Sequence, residues 1–268
     1  MAAKYERAAD DLRAKILAGI EGFEPGARLP SETQLADAYN ISVPTMREAI
    51  RVLRLEGLII AKQGVGSFVR SERRRIRRSA DRYQWEKDRV REPENVRKTT
   101  GATEKDTGFE LPELEFHAVF EEVPADAQIA KDFGVAEGTP MLRRLYRTQS
   151  RNEDAPVSLV TSYLVHDVVA QNPDLLDASL EPWPGGTQHQ LSTIGVEVDS
   201  IEDVITTRPP TQQESDQLGI NPVGVAVFVL RKTSVDTTGR VVEVSYVVLP
   251  GDRTEFVYQT KLKRWEWE

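Results

Sequence analysis

The chain of 268 residues has no cysteine. Disulfides, thiolate metal centres and cysteine nucleophiles are therefore excluded, and the composition suits a reducing compartment. Histidine is also sparse: His117, His166 and His189 stand far apart with no ligand spacing among them, so no metal site is expected. No apolar run reaches the ~18 residues that a membrane helix needs, and the first residues lack the apolar core of a signal peptide. No membrane association is expected, and the cytoplasm is the expected location. A nucleophile elbow, an H-E-x-x-H pair and a phosphate-cradling P-loop are missing as well. Neither catalytic residues nor a cofactor are expected, which argues against an enzyme.

What is present is an ordinary globular composition, 39% hydrophobic and 29% charged, with length for about two domains. The net charge of −8 conceals an asymmetry. Residues 1–78 hold 15 Lys or Arg against 10 Asp or Glu, net +5, so residues 79–268 carry −13. A basic head on an acidic body suits a protein that meets phosphates at one end and avoids nonspecific adhesion at the other.

The head has a readable pattern from Pro25 to Val69. Ser31 is placed to cap a helix, with Gln34 reaching back to close a capping box, and Leu35, Ala36 and Tyr39 give that helix an inner face over about Glu32 to Tyr39. Asn40 ends it. Ser42 caps a second helix with Pro44 in its first turn, where a missing N–H costs little. Met46, Ala49, Ile50 and Leu53 form its apolar stripe, and Arg47, Arg51 and Arg54 lie opposite. Leu58 to Lys62, the glycines Gly64 and Gly66, and Ser67 to Val69 predict a β-hairpin. Upstream, Tyr5, Ala9, Leu12, Ile16 and Ile20 predict a first helix that completes a three-helix core. Two short helices and a tight turn, the second opening on Ser42, Thr45 and Arg47, match a helix-turn-helix whose recognition helix enters the major groove by its N-terminal end. Arg51 and Arg54, farther along, are expected on the solvated or backbone-facing side.

This segment resembles the N-terminal domain of the GntR family of bacterial transcription regulators. The resemblance rests on Pro25-Gly26, Leu29 to Glu32, Leu35-Ala36, Ser42, Thr45, Arg47, Ala49-Ile50, Leu53, Glu56 to Ile59, Gly64, Gly66 and Val69. It implies a homodimer on a pseudo-palindromic double-stranded operator. Arg28, Ser31, Ser42, Thr45, Arg47, Arg51, Gln63 and Gly64 are its candidate DNA-binding residues, with the Gly64 hairpin tip at the minor groove and Arg28 on a phosphate. Val43 and Pro44 stand where some members carry a basic or polar residue, which implies fewer or more apolar base contacts.

From Arg70 to about Gly108 the apolar pattern fades and arginines crowd at Arg73, Arg74, Arg75, Arg77 and Arg78. Residues 71–108 are expected to be a basic flexible linker between a head of residues 1–70 and a domain of residues 109–268. Its arginines are either phosphate contacts or a solvated charge run.

The rest of the chain maps onto itself at an offset of about 85 residues. One copy runs from Pro124 through Phe133-Gly134-Val135 and Gly138 to strands at Met141–Thr148 and Val157–Leu164. The other runs from Pro209 through Leu218-Gly219-Ile220 and Gly224 to strands at Val225–Thr233 and Val241–Leu249, with turns at Asn152–Ala155 and Asp236–Gly239. Joined edge to edge, the copies predict one antiparallel sheet with helices, an α+β fold, to which Leu114–Glu122 and Val196–Thr207 add strands. Only the insertion from His166 to Gly195 breaks the echo, and such loops are where specific binding concentrates. The arrangement resembles the UTRA sensor domain of the histidine-utilisation-repressor branch of the same family, whose fold is like chorismate lyase. Arg143, Arg144 and Arg147, Pro156-Val157, Thr161 to Leu164, Pro184-Gly185-Gly186, Gly239-Arg240 and Glu243 carry that likeness. It implies a small, anionic metabolite as effector, with Arg144, Arg147, Ser162, Tyr163 and Glu243 as candidate effector-binding residues, since a guanidinium fork matches phosphate or carboxylate. The function so implied is a repressor whose operator affinity a metabolite modulates. A constitutive dimeric repressor without effector and a lyase-like enzyme are the alternatives.

Overall fold

The computed structural model describes residues 3–62, 64–71, 73–153, 156–220 and 224–263. In chain order the elements are α1 (Lys4–Leu17), α2 (Glu32–Ala38), α3 (Val43–Leu55), β1 (Ile59–Lys62), β2 (Gly66–Val69), β3 (Ile76–Ser79), α4 (Asp81–Arg89), α5 (Glu94–Arg97), α6 (Ala102–Thr107), β4 (Leu114–Pro124), α7 (Ala127–Phe133), β5 (Pro140–Ser150), β6 (Pro156–Val165), α8 (His166–Val169), α9 (Gly186–Ser192), β7 (Val198–Arg208), α10 (Gln212–Leu218), β8 (Val227–Asp236), β9 (Val241–Pro250) and β10 (Thr254–Val257). They form two compact units. One holds Met1–Arg74 with Pro209–Asp216 and Ile220–Ala226, the other Arg75–Arg208 with Gln217–Gly219 and Val227–Glu268.

In the first unit, Leu12, Met46, Ala49 and Leu53 are wholly buried and join Leu29, Leu35, Ile59 and Val69 in one core, which ties α1, α2, α3 and the hairpin together. Ser31 caps α2 with Gln34 returning the bond, and Ser42 caps α3. One expectation fails here. Helix α1 stops at Leu17, because Gly19 turns the chain at φ +59°, and Ile20, predicted to belong to its stripe, is 48% exposed. The hairpin pairs Ile59 with Val69 and Lys62 with Gly66. Gly66 sits at φ +139°, with the Arg28 guanidinium where a side chain would project.

The second unit is built on a six-stranded antiparallel sheet of order β4-β5-β6-β9-β8-β7. The order is the internal repeat made visible: three strands from each copy meet at the central β6–β9 seam. There Thr161 pairs with Tyr246 and Ser162 with Ser245. Thr161 and Tyr246 are 85 residues apart, so the pseudo-twofold passes through this pair. One sheet face packs on α7 through Ile129, Ala130, Phe133, Met141 and Val244. The other carries Ile76, Phe109, Leu114, Val157, Leu230, Val247 and Leu249. Of the predicted turn at Asn152–Ala155, the last two residues lie outside the described ones.

Residues 75–108 are not the bare basic linker predicted from their composition. Strand β3 pairs in parallel with β10, Ile76 opposite Thr254 and Ser79 opposite Val257, and α4, α5 and α6 follow. The physical reason is that alternation along β3 buries Ile76 at 2% exposure, while the salt bridge of Arg82 to Asp106, 2.9 Å, joins α4 to α6 in a buried setting. Arginine density masked a two-residue period.

Candidate DNA interface and ligand cavity

At the start of α3 the Ser42 hydroxyl accepts the Thr45 N–H at 3.3 Å and lies 2.8 Å from the Thr45 hydroxyl. These hydroxyls and the one-turn-later Arg47 therefore share the helix entrance, with Ser42 and Arg47 exposed. Arg47 donates from Nε to Glu32 at 2.9 Å, and its side chain is 64% exposed. In high dielectric such a pair contributes little, so a phosphate or base edge can take the guanidinium from Glu32. Arg51 is bidentate to Glu48 at 2.9 and 2.6 Å. Arg54 donates to Ser67 at 2.7 Å and is half-buried, so it ties α3 to the hairpin. Arg28 donates to the Val65 carbonyl at 2.7 Å, tying the turn before α2 to the hairpin tip. Ser31 spends its hydroxyl on Gln34. Gly64 is exposed at φ +72° with open space around it, and Gln63 lies outside the described residues.

In the sheet domain a cavity of about 460 Å3 lies between the face bearing Val157 and Val247 and a cover made by α4, α6 and residues 181–187. This is within the usual ~300–1,000 Å3 of small-molecule sites. At its polar end sits a buried cluster. Glu243, 3% exposed, meets Lys232 Nζ at 2.8 Å through Oε2 and Arg144 Nη2 at 3.2 Å through Oε1. Ser162 donates to the same Oε1 at 2.8 Å and accepts from Arg144 at 3.0 Å. Arg144 also donates to Gln190 Oε1 at 2.7 Å and to Thr187 at 3.2 Å. Burial pushes the Glu243 carboxyl up, but Lys232 and then Arg144 outweigh it and hold its pKa at about 2. Next to the cluster, the Tyr146 hydroxyl and Gln190 Nε2 both donate to Glu181, at 3.0 and 2.9 Å. Burial, against the nearby Arg144, pushes the Tyr146 phenol well above its ordinary value.

Of the five candidate effector residues, the structure brings together Arg144, Ser162 and Glu243. Arg147 and Tyr163 are corrections. Successive side chains of a strand alternate between faces, so Arg147, three positions from Arg144, and Tyr163, one from Ser162, point away from the cavity. Tyr163 packs in the α7 cluster, and Arg147 donates to Gln149 at 3.0 Å. The same alternation, applied to Arg144, finds Tyr146 and Thr148, which line the cavity and were missed. Lys232, Gln190, Thr187 and Arg82 were missed too; only Lys232 left a trace, as the repeat partner of Arg147. The insertion at His166–Gly195 does supply cavity residues, and its Gly185 (φ +97°) has His189 and Arg97 where a side chain would stand. Among the described residues no helix is long and apolar enough to cross a membrane.

Comparison with known proteins agrees with both halves. Residues 4–69 match the model of bacterial regulatory proteins of the gntR family, and residues 117–255 match that of the UTRA domain. An HTH-type transcriptional regulator of Streptomyces coelicolor is 28% identical over 97% of this chain and 94% of its own length. Another, from Mycobacterium tuberculosis, is 28% identical over 88% of this chain and 78% of its own. The crystal structure of a GntR-family transcriptional regulator superposes with a TM-score of 0.59 at 25% identity, covering 97% of this chain and 98% of that one. PhnF from Mycobacterium smegmatis shares the fold at TM-score 0.53 and 20% identity, covering 94% and 100%. These relatives are regulators rather than enzymes, and the lyase-like alternative finds no support among them. A winged helix-turn-helix head, a sheet domain built from two fused copies, and matches to both domain models make this chain a member of the GntR family with a UTRA effector-binding domain, a DNA-binding transcriptional regulator.

Proposed function

We propose that the protein is a homodimeric repressor of the bacterial cytoplasm, whose grip on a pseudo-palindromic operator is modulated by a small anionic metabolite held in the sheet-domain cavity. The observation that carries this reading is the identity of the cavity wall. Ile76, Arg78 and Arg82 line it, and they lie on β3 and α4, the first elements after the hairpin in the chain. A ligand touching them acts on the segment that leads out of the DNA-binding head. An effector shifts operator affinity only as far as it binds one arrangement better than the other, typically by ~1–3 kcal/mol.

On the DNA side Ser42, Thr45 and Arg47 enter the major groove, Gly64 approaches the minor groove, and Arg28, Ser31 and Arg51 meet the backbone. Ser162 and Glu243 form part of the polar wall of the effector site, held by Arg144 buried behind them. A gel-shift titration on the DNA upstream of the gene tests both parts, combined with thermal melting of the full chain against a metabolite panel. The reading expects a retarded dimer complex and its weakening by a compound that raises the melting temperature. Failure to retard any such fragment defeats the operator reading. A complex that persists with every stabilising compound leaves a constitutive repressor instead.

A further inference from the structure

Among the cations of the cavity wall, Arg78 stands apart by its lack of a partner. Arg82, Lys98 and Lys232 pair with Asp106, Glu94 and Glu243 at 2.9, 2.5 and 2.8 Å. Arg89 donates to the carbonyls of Val96 and Thr100, and Arg97 to that of Pro184. Arg78 makes no ion pair among the described residues, and its hydrogen-bonding neighbour is the Tyr83 hydroxyl, which itself donates to Asp203 at 2.6 Å. One hydroxyl cannot occupy the five N–H donors of a guanidinium. Burial, and then the like charge of Arg82, pull the Arg78 pKa below its ordinary value, as expected of a desolvated cation that lacks a counter-charge.

Its position aims it inward. Alternation along β3 puts Arg78 on the same face as Ile76, which is buried against Val157 and Leu249 of the sheet. Arg78 is half-buried rather than sealed, and unlike Arg82 it has no unpartnered nitrogen closed off from access. The sheet floor offers a second set of unused groups. Thr148, Ser158 and Ser245 line the cavity at 6, 9 and 2% exposure, and Thr148 stands opposite Ser158 across β5 and β6. Their hydroxyls make no hydrogen bond to another described residue, yet none is sealed. Thr100 and Thr103 add hydroxyls from the cover. Buried hydroxyls without partners are unfavourable, and a polar ligand satisfies them where an apolar one does not.

Resting on the sensor reading above, we infer that Arg78 is the anion anchor of the effector site: its guanidinium takes a carboxylate or phosphoryl group, while a body bearing hydroxyls or carbonyls lies on Thr148, Ser158 and Ser245. A guanidinium fork matches either oxyanion. Because Arg78 belongs to β3, where it stands opposite Phe256 of β10, the ligand's charge bears directly on the strand that follows the hairpin.

The test is thermal melting and calorimetric titration of the full chain and of Arg78→Met, at constant ionic strength, with acetate, inorganic phosphate, gluconate and hexanoate. Without any of these anions the variant is expected to melt above the wild type by roughly 2–4 °C, because it withdraws an uncompensated charge. Acetate or phosphate is expected to raise the wild-type melting temperature with concentration, and the stronger of the two assigns the anchor to carboxylate or phosphoryl chemistry. Arg78→Met is expected to weaken that binding by about tenfold or more, the scale of a charge-assisted hydrogen bond. Gluconate is expected to bind more tightly than hexanoate, a carboxylate of the same chain length without hydroxyls; equal binding refutes the polar body. Circular dichroism verifies the fold of the variant, and the wild-type titrations need no variant. A wild type that none of the four stabilises overturns the assignment, as does undiminished binding in folded Arg78→Met. A variant that melts below the wild type shows Arg78 holding the fold and overturns it too. A compound that stabilises both proteins equally and weakens the DNA complex refutes the anchor while the sensor reading stands.

Discussion

Replacing Glu243 by Gln removes one charge from the buried cluster at the β6–β9 seam and leaves its shape. The carboxyl titrates at about 2 in the folded protein against an ordinary value of 4.5. The depression means that the folded state binds the ionised form better. It therefore contributes stability that is fully present above pH 4.5 and is lost as pH falls towards 2. A gap of about 2.5 pH units at 1.36 kcal/mol each is about 3 kcal/mol. An independent route agrees: removing one partner of a buried ion pair costs about 3–5 kcal/mol, and here Lys232 at 2.8 Å and Arg144 at 3.2 Å both lose their counter-charge. For a unit of 150–250 residues, about 3 kcal/mol corresponds to roughly 6–12 °C in melting temperature. Calorimetric melts at pH 7 are expected to show Glu243→Gln lower by that amount. The gap is expected to close on acidification from pH 4.5 towards 2, as the wild-type carboxyl takes up its proton and becomes a neutral analogue of the amide. A difference of only a degree or two at pH 7, or a gap independent of pH, refutes the reasoning. Lys232→Met in the Glu243→Gln background is expected to recover part of the loss, since it withdraws the orphaned ammonium.

Arg47→Ala is expected to weaken operator binding by roughly 5- to 150-fold, the ~1–3 kcal/mol of a base-reading arginine. It should leave the melting temperature within a degree, because the pair with Glu32 is solvated; gel shift and melting read the two effects separately. Leu53→Ala removes a side chain with no exposure and is expected to cost the head about 2–5 kcal/mol. Denaturant unfolding and gel shift should both register it, while the sheet domain keeps its own transition. Ser31→Ala deletes the cap of α2 and is expected to cost about 1 kcal/mol, a small shift of the denaturation midpoint that a Thr at the same place restores in large part.

How much of this was legible in the sequence depends on how local each signal is. The head announced itself because caps, helical spacing and hairpin glycines are all short-range, and Ser31, Gln34, Ser42 and Met46 do what their spacing predicts. The sheet was legible because duplication doubles every weak strand signal. Joining the two copies edge to edge predicted one antiparallel sheet; the order of its strands emerged only with the structure. Ile20 misled because apolar spacing continues past the point where Gly19 turns the backbone. Arg147 and Tyr163 misled because successive side chains of a strand face opposite ways, so neighbouring residues of attractive type on β5 or on β6 cannot all meet one cavity. Residues 75–108 were opaque for a different reason. What holds β3 is a strand nearly two hundred positions away, and what holds α4 is an ion pair between side chains that composition reads as surface. Arg82 could not be singled out from its arginine-rich surroundings until Asp106 and the sheet were brought beside it.

The seam at Thr161 and Tyr246 has one more consequence. Arg144 and Ser162 belong to the leading half of the sheet, Glu243 and Lys232 to the trailing half, so neither half by itself possesses the buried charged cluster at the pocket's polar end. Sliding β9 along β6 by a single position would turn Glu243 towards α7 and leave Arg144 facing Val242 or Val244. The recognition chemistry is thus locked to one particular alignment of two old neighbours, and a molecule settling there tests that alignment each time it binds.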